Sequence, residues 1–510
     1  MSQLDAALGR SDRPGAERPI LFACALIGVA LALLFVAERM GAEPAVLGIA
    51  AVALPLVAVA ILAFVGRTID RGRFLRAGGE GLVSGGAGAM TSGFALAAEW
   101  AGAGVVPFLL LAPASVPLSA LALGGAFGLF AFVVAFAGAI RRAGSLTAAD
   151  LLGQRLASRT LRWTTALASI VALAGLMAFQ LVLMRTLLLS IAGAQAGTVL
   201  VLMVAMAAAV IVLGGQRSLT LVGAFLGFFL ALAFVVPAFA AILGVEGLTG
   251  PLPVDRAFGL ILPGGPAAVL FASGALALVA SPVFVSRAGA VRPGALFNAG
   301  AWTLLATYVV TAAALIAYTP TDATMSIVET LPTLGWLGAV WAGFAAALFA
   351  LATHIGHDLR RAPGDHRRGD HGRRGTGVAM ALTRMAAVLG AGLAAAAVMA
   401  ETANAWGGVG LVVFLGLVAG VVTPPLVAAV WWRRVSLAGV LGAQGAGASA
   451  TLLMAWPASP LALGDTLATG WIGLLAALPA AAILVAAGYL LPRSQRPDPE
   501  LIKVVRRPVR

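Results

Sequence analysis

The chain has 510 residues, 61% of them hydrophobic and only 10% charged, with a formal net charge of +13 and a single cysteine, Cys24. A water-soluble protein carries about 25% charged residues, so a soluble multidomain chain is excluded. One cysteine likewise excludes an internal disulfide and a cysteine metal cluster within the chain.

The apolar residues come in blocks of about twenty or more, separated by short Arg-rich gaps. Lipid leaves backbone polar groups without water, so spanning segments must be helices or closed barrels, and barrel strands would show ten-residue alternation instead of long apolar runs. The blocks therefore predict an all-α polytopic membrane protein with about 14 transmembrane helices. In chain order they lie near 19–39, 45–66, 81–112, 116–140, 163–191, 197–215, 218–243, 266–286, 295–318, 334–356, 377–399, 407–432, 437–457 and 469–491. The first is longer than a signal-peptide core and a second follows at once, which makes it a retained helix.

An even number of spans puts both termini on one side. With Met1 in the cytoplasm, all 33 Lys and Arg residues fall in inner segments except Arg39, Arg256 and the intra-span Arg185. One lost or added helix would scramble that pattern. The charge thus predicts a multi-pass protein of the inner (plasma) membrane with a cytoplasmic tail at 1–18 and a basic cytoplasmic tail at 492–510. Because the basic residues are spent on orientation, nucleic acid is not an expected partner. The loop 357–376, HDLRRAPGDHRRGDHGRRGT, reads as a solvated cytoplasmic linker on which a membrane partner protein of unknown identity could dock. All four histidines, His354, His357, His366 and His371, fall at the end of the tenth block or in this linker, and Asp365, His366, Asp370 and His371 only faintly resemble metal ligands; no metal or cofactor is expected.

Charge within a bilayer is costly and marks function. With Glu38 and Arg39 at a block end and Arg384 counted with the inner loop before it, the charge within the spans amounts to Glu99 and Arg185. Glu99 sits in a glycine-rich stretch, SGGAGAMTSGFALAAEWAGAGVVPFLLL, in which residues 98–104 suit an unwound helix break where a carboxylate and freed carbonyls hold a cation or a proton. The competing reading is that the glycines serve close packing and Glu99 reaches the outer interface. Arg185 is near enough to its helix end to snorkel to the headgroups; functionally it would be a counter-charge for Glu99 or for an anionic solute. Gln180 could place an amide near the same cavity or act as packing glue.

Seven segments in order resemble the sodium:solute symporter family, particularly its cation/acetate (monocarboxylate) branch: FLRAGGE (74–80), AEW (98–100), SLTAADLLGQRLASRTLR (145–162), GGQRSLT (214–220), the stretch 282–287, GHDLRR (356–361) and WWRRVSLAGVLGA (431–443). The resemblance implies a LeuT-like 5+5 inverted-repeat core, with repeats at 81–243 and 266–432 flanked by two peripheral helices at 19–66 and two at 437–491. It also implies a solute site midway across the membrane between the broken first helices of each repeat. Carried over, cation or proton coupling falls to Glu99, Ala98 and Gly102, and solute binding to Trp100, Gln180, Arg185, Ser281 and Pro282.

Three departures matter. The family's paired Na⁺-binding hydroxyls become Ala342 and Gly343; its Ala-Asp-Trp becomes Ala98-Glu99-Trp100, with Gly102 for a nearby Ser; and Gly-Leu-Pro-His becomes Ala280-Ser281-Pro282-Val283. A hard cation needs several oxygen ligands, so Na⁺ coupling is weakened and H⁺ coupling through Glu99 takes its place. The expected function is cation-coupled symport of a small organic solute, a monocarboxylate such as acetate, with H⁺ or Na⁺ as the coupling ion and no enzymatic activity. The alternative is a transport-inactive sensor or scaffold.

Overall fold

A computed structural model describes residues 17–77, 88–102, 118–242, 266–291, 295–317, 327–360, 372–400, 403–456 and 466–491. Each of the predicted apolar blocks carries a helix. In chain order these are α1 (Glu17–Arg39), α2 (Pro44–Val65), the short α3 (Arg71–Arg76) and α4 (Ala89–Trp100). Next come α5 (Leu118–Ala131, prolonged to Arg142 through a π-turn at Phe132–Ala137), the short α6 (Ala148–Arg155), α7 (Arg159–Ala192), α8 (Ala196–Gly214) and α9 (Gln216–Ile242). The second half holds α10 (Pro266–Val279), α11 (Pro282–Arg287), α12 (Leu296–Ala317) and α13 (Ile327–Thr353, ending in a π-turn at His354–Asp358). It closes with α14 (Gly372–Met399), α15 (Ala403–Leu417, prolonged to Trp431 through a π-turn at Val418–Val422), α16 (Leu437–Ala455) and α17 (Thr466–Leu490). Among the described residues, ten helical stretches are long and apolar enough to cross a membrane, one of them running through both α7 and α8.

The local starts are written in the sequence. Asp70, Thr147, Ser158 and Ser436 accept from the backbone N–H three residues on, at 2.8, 3.0, 3.2 and 3.1 Å, and so satisfy a donor that the first helical turn leaves open. Proline disfavours the α conformation of the residue before it, and Ser281, preceding Pro282, is extended (φ −53°, ψ 129°). That residue separates α10 from α11, so the predicted single span 266–286 is two helices.

Apolar side chains gain little by leaving lipid for a helix interface, so close packing must hold the bundle, and small residues permit it. Along its length α4 crosses three neighbours in turn: Gly93 lies against Ala299 and Trp302 of α12, Ala95 against Gly223 of α9, and Gly102 against Gly343 of α13. Gly175 of α7 and Gly410 of α15 meet backbone to backbone. Around this core α1 presents Leu21, Phe22, Val29 and Leu33 outward, and α14 presents Met385, Val388, Leu389 and Leu393. Surfaces so apolar suit lipid and not water.

The α7–α15 contact gives the first prediction. A Cβ on Gly175 would stand 2.5 Å from the Gly410 carbonyl oxygen, whereas one on Gly392 meets nothing within 4 Å. Gly175→Val should therefore lose about 1–3 kcal/mol through overpacking. Gly392→Ala should hold or raise stability by up to about 1 kcal/mol through helix propensity. Thermal unfolding of the two variants in detergent checks both.

Candidate functional site

Glu99 is fully buried near the end of α4 and forms an ion pair with Arg287, the last residue of α11, whose side chain is 5% exposed. From α9, the Thr220 hydroxyl accepts from Arg287 Nη1 at 2.9 Å. With its amide oxygen turned toward the guanidinium, Gln216 accepts from Nη1 at 3.0 Å and from Nε at 3.1 Å. Three helices from distant parts of the chain thus converge on one guanidinium. Arg141, at the end of α5, positions the segment that follows it by donating to the carbonyls of Gly289 and Val291 at 2.9 and 2.6 Å, while Arg76, whose side chain lies beside Gly289, donates to Gly144 at 2.6 Å.

This geometry corrects two readings of the sequence. The partner of Glu99 is Arg287, not Arg185, which is half-buried on α7. Arg287 itself, counted among the inner-loop charges, is buried inside the bundle. A charge that orients a loop and one that neutralises a buried acid look alike in a sequence; the signal was the Pro282 break, which leaves α11 only six residues long with Arg287 at its end. Thr220 and Gln216 stand in the GGQRSLT segment, but nothing there marked them as partners of a buried guanidinium, since polar residues at a helix start are ordinary. A third correction concerns the break at 98–104: the chain stays helical through Gly102, widening to a π-turn at Ala101 and Gly102, and residues 103–104 lie outside the described residues.

The other predicted residues divide. Ala98 and Trp100 are completely buried beside Glu99, with Trp100 facing Gly125 of α5. Gln180 is also completely buried, and its amide N–H donates to the Gly102 carbonyl. Gly343 packs on both, a Cβ there standing 2.7 Å from Gln180 Nε2, so α4, α7 and α13 meet at one point. Ala342 is buried on the same helix. Ser281 and Pro282 lie at the α10–α11 break. Two buried polar atoms in this set, Ser281 Oγ and Gln180 Oε1, have no hydrogen-bond partner among the described residues.

The histidines require a fourth correction. His357, the first residue of the expected solvated linker, does not stand in one, and His354, at the end of the tenth block, is buried beside it. They belong to the π-turn that ends α13, where both are buried with Asp358. His366 and His371, with Asp365 and Asp370, lie outside the described residues.

The ion pair makes a testable claim on stability. Removing one partner of a buried pair costs about 3–5 kcal/mol because it strands the other charge, whereas replacing both by neutral groups is often near neutral. Arg287→Met should therefore lower the melting temperature markedly, and adding Glu99→Gln should restore most of the loss. A double-mutant cycle on thermal unfolding in detergent reads the coupling.

Neither a family model nor a curated protein sequence matches the chain. Thirty-two chains of solved structures do match. One of them, a Na⁺-coupled sialic acid symporter in its substrate-bound, outward-open state, is 13% identical, with 87% of this chain and 97% of that chain covered and a TM-score of 0.63. At that identity the likeness establishes the fold alone: this chain has the all-helical, LeuT-like fold of that transporter.

Proposed function

We propose that the protein is a secondary active transporter that moves a small organic anion, a monocarboxylate such as acetate, together with a proton by alternating access. The fold supports the transporter class, since the matched symporter carries an organic solute with Na⁺. In this reading residues 81–243 and 266–432 are the two inverted five-helix repeats, and the solute sits beside the α10–α11 break. The orphaned Ser281 hydroxyl and the Gln180 amide oxygen are polar groups that such a solute could engage.

The observation that carries the coupling is the buried Glu99–Arg287 pair. A guanidinium is a strong partner for a carboxylate, and Glu99 occupies Arg287 through Nη2 when ionised. Protonating Glu99 releases Arg287, which then takes the carboxylate of the solute. One proton and one anion thus enter together and leave together, and the buried charge stays balanced throughout. Thr220 and Gln216 hold the guanidinium in place while its partner changes. Proton coupling is favoured over Na⁺ by the contact of Gly102 with Gly343, next to Ala342 in α13: none of these side chains offers an oxygen, and the Gly102 carbonyl is engaged by Gln180.

In proteoliposomes, an inward proton gradient should drive accumulation of a small carboxylate without Na⁺. Glu99→Gln should abolish that accumulation while sparing solute counterflow, because Arg287 is then permanently available to the anion. Accumulation in Glu99→Gln equal to that of the unmodified protein, or uptake that answers only to a Na⁺ gradient, removes this coupling scheme.

A further inference from the structure

At the end of the bundle where α6 begins and α13 closes, a second set of buried charges meets, on elements different from those of the Glu99–Arg287 pair. Asp150, Asp358 and His354 are completely buried and His357 is 8% exposed. Asp358 Oδ2 receives the Thr147 hydroxyl at 2.7 Å and faces His354 Nδ1 at 2.6 Å. Asp150 Oδ1 is paired with Arg162, and its Oδ2 accepts from the Leu146 N–H at 3.3 Å. His357 Nε2 points between the two acids, 3.4 Å from Asp150 Oδ2 and 4.0 Å from Asp358 Oδ1.

Arg162 answers Asp150, but among the described residues no Arg or Lys pairs with Asp358, and its Oδ1 has no hydrogen-bond partner. A buried carboxylate oxygen in that position calls for a cation. The ligand atoms offered by Asp150, His357 and Asp358 all lie within 4.8 Å of one another. Tetrahedral ligands held at about 2.0–2.1 Å from Zn²⁺ stand roughly 3.3–3.4 Å apart, so sub-ångström side-chain shifts bring the three atoms onto one ion.

We propose that Asp150, His357 and Asp358 bind one divalent transition-metal ion of the Zn²⁺ type, with water in the fourth position. The nitrogen and carboxylate donors suit that class. Arg162, Thr147 and His354 serve as the outer shell that orients the two carboxylates through their other oxygens. The ion ties α6 to the end of α13, two segments that are joined in sequence only through most of the core helices.

The test uses the full-length protein, free of any affinity tag, in detergent, with His366→Asn and His371→Asn in the background so that the basic loop contributes no imidazole. Titration with Co²⁺ should give the visible bands of a tetrahedral site at one ion per chain. Zn²⁺ should displace the Co²⁺ and raise the melting temperature. His357→Gln and Asp358→Asn should each abolish the bands, and His354→Ala, which removes only an outer-shell partner, should weaken binding about 10–100-fold. Absence of any Co²⁺ bands, or bands that persist in folded His357→Gln protein, would overturn the assignment. A histidine that titrates by NMR without taking up metal would do so as well, identifying a proton as the cation. Should Asp358→Asn fail to fold, the folded His357→Gln variant decides alone.

Discussion

Burying a carboxylate in a membrane protein is tolerable only when a positive charge is buried with it, and that constraint organises the centre of this molecule. Glu99 fixes where α4 can sit, because its carboxylate must reach Arg287. Arg287 in turn fixes the short helix α11, and its remaining N–H groups fix the start of α9 through Thr220 and Gln216. The loop beyond it is held by Arg141, which donates to two of its carbonyls. An ion pair of this kind contributes little net stability against an apolar substitute, but breaking it is expensive. It therefore specifies an arrangement more than it strengthens one.

The glycines complement the charges. Gly102 and Gly343 bring the backbones of α4 and α13 together at the point where Gln180 donates to the Gly102 carbonyl. Side-chain oxygens at that crossing would make a pocket for a hard cation; glycine and alanine make a contact instead. Among the described residues the buried acids are Glu99 in the centre and Asp150 and Asp358 at one end.

Much of this was legible beforehand. The helices follow from apolar blocks long enough to cross a bilayer, whereas the α10–α11 break, imposed by Pro282 on Ser281, was expected only from the family resemblance and not from the block 266–286 itself. Glu99 stood out as a charge among apolar residues. Arg287, His354 and His357 did not, because each sits at a block edge where a polar residue is expected to be solvated. Their burial arises from helices contributed by other parts of the chain, and the described part of the break expected at 98–104 is helical through Gly102.

By itself the sequence determined that the chain is a helical membrane protein, where its helices lie, and which acid is out of place among them. These are properties of contiguous segments: hydrophobic length, capping residues and the local effect of proline act within a few residues of where they are read. Only the tertiary structure decided that Arg287 neutralises Glu99, that Gln180 reaches Gly102, and that Asp150 meets Asp358 and His357. Partners so far apart in the chain are set by which helix faces pack together, and that choice depends on the whole bundle at once.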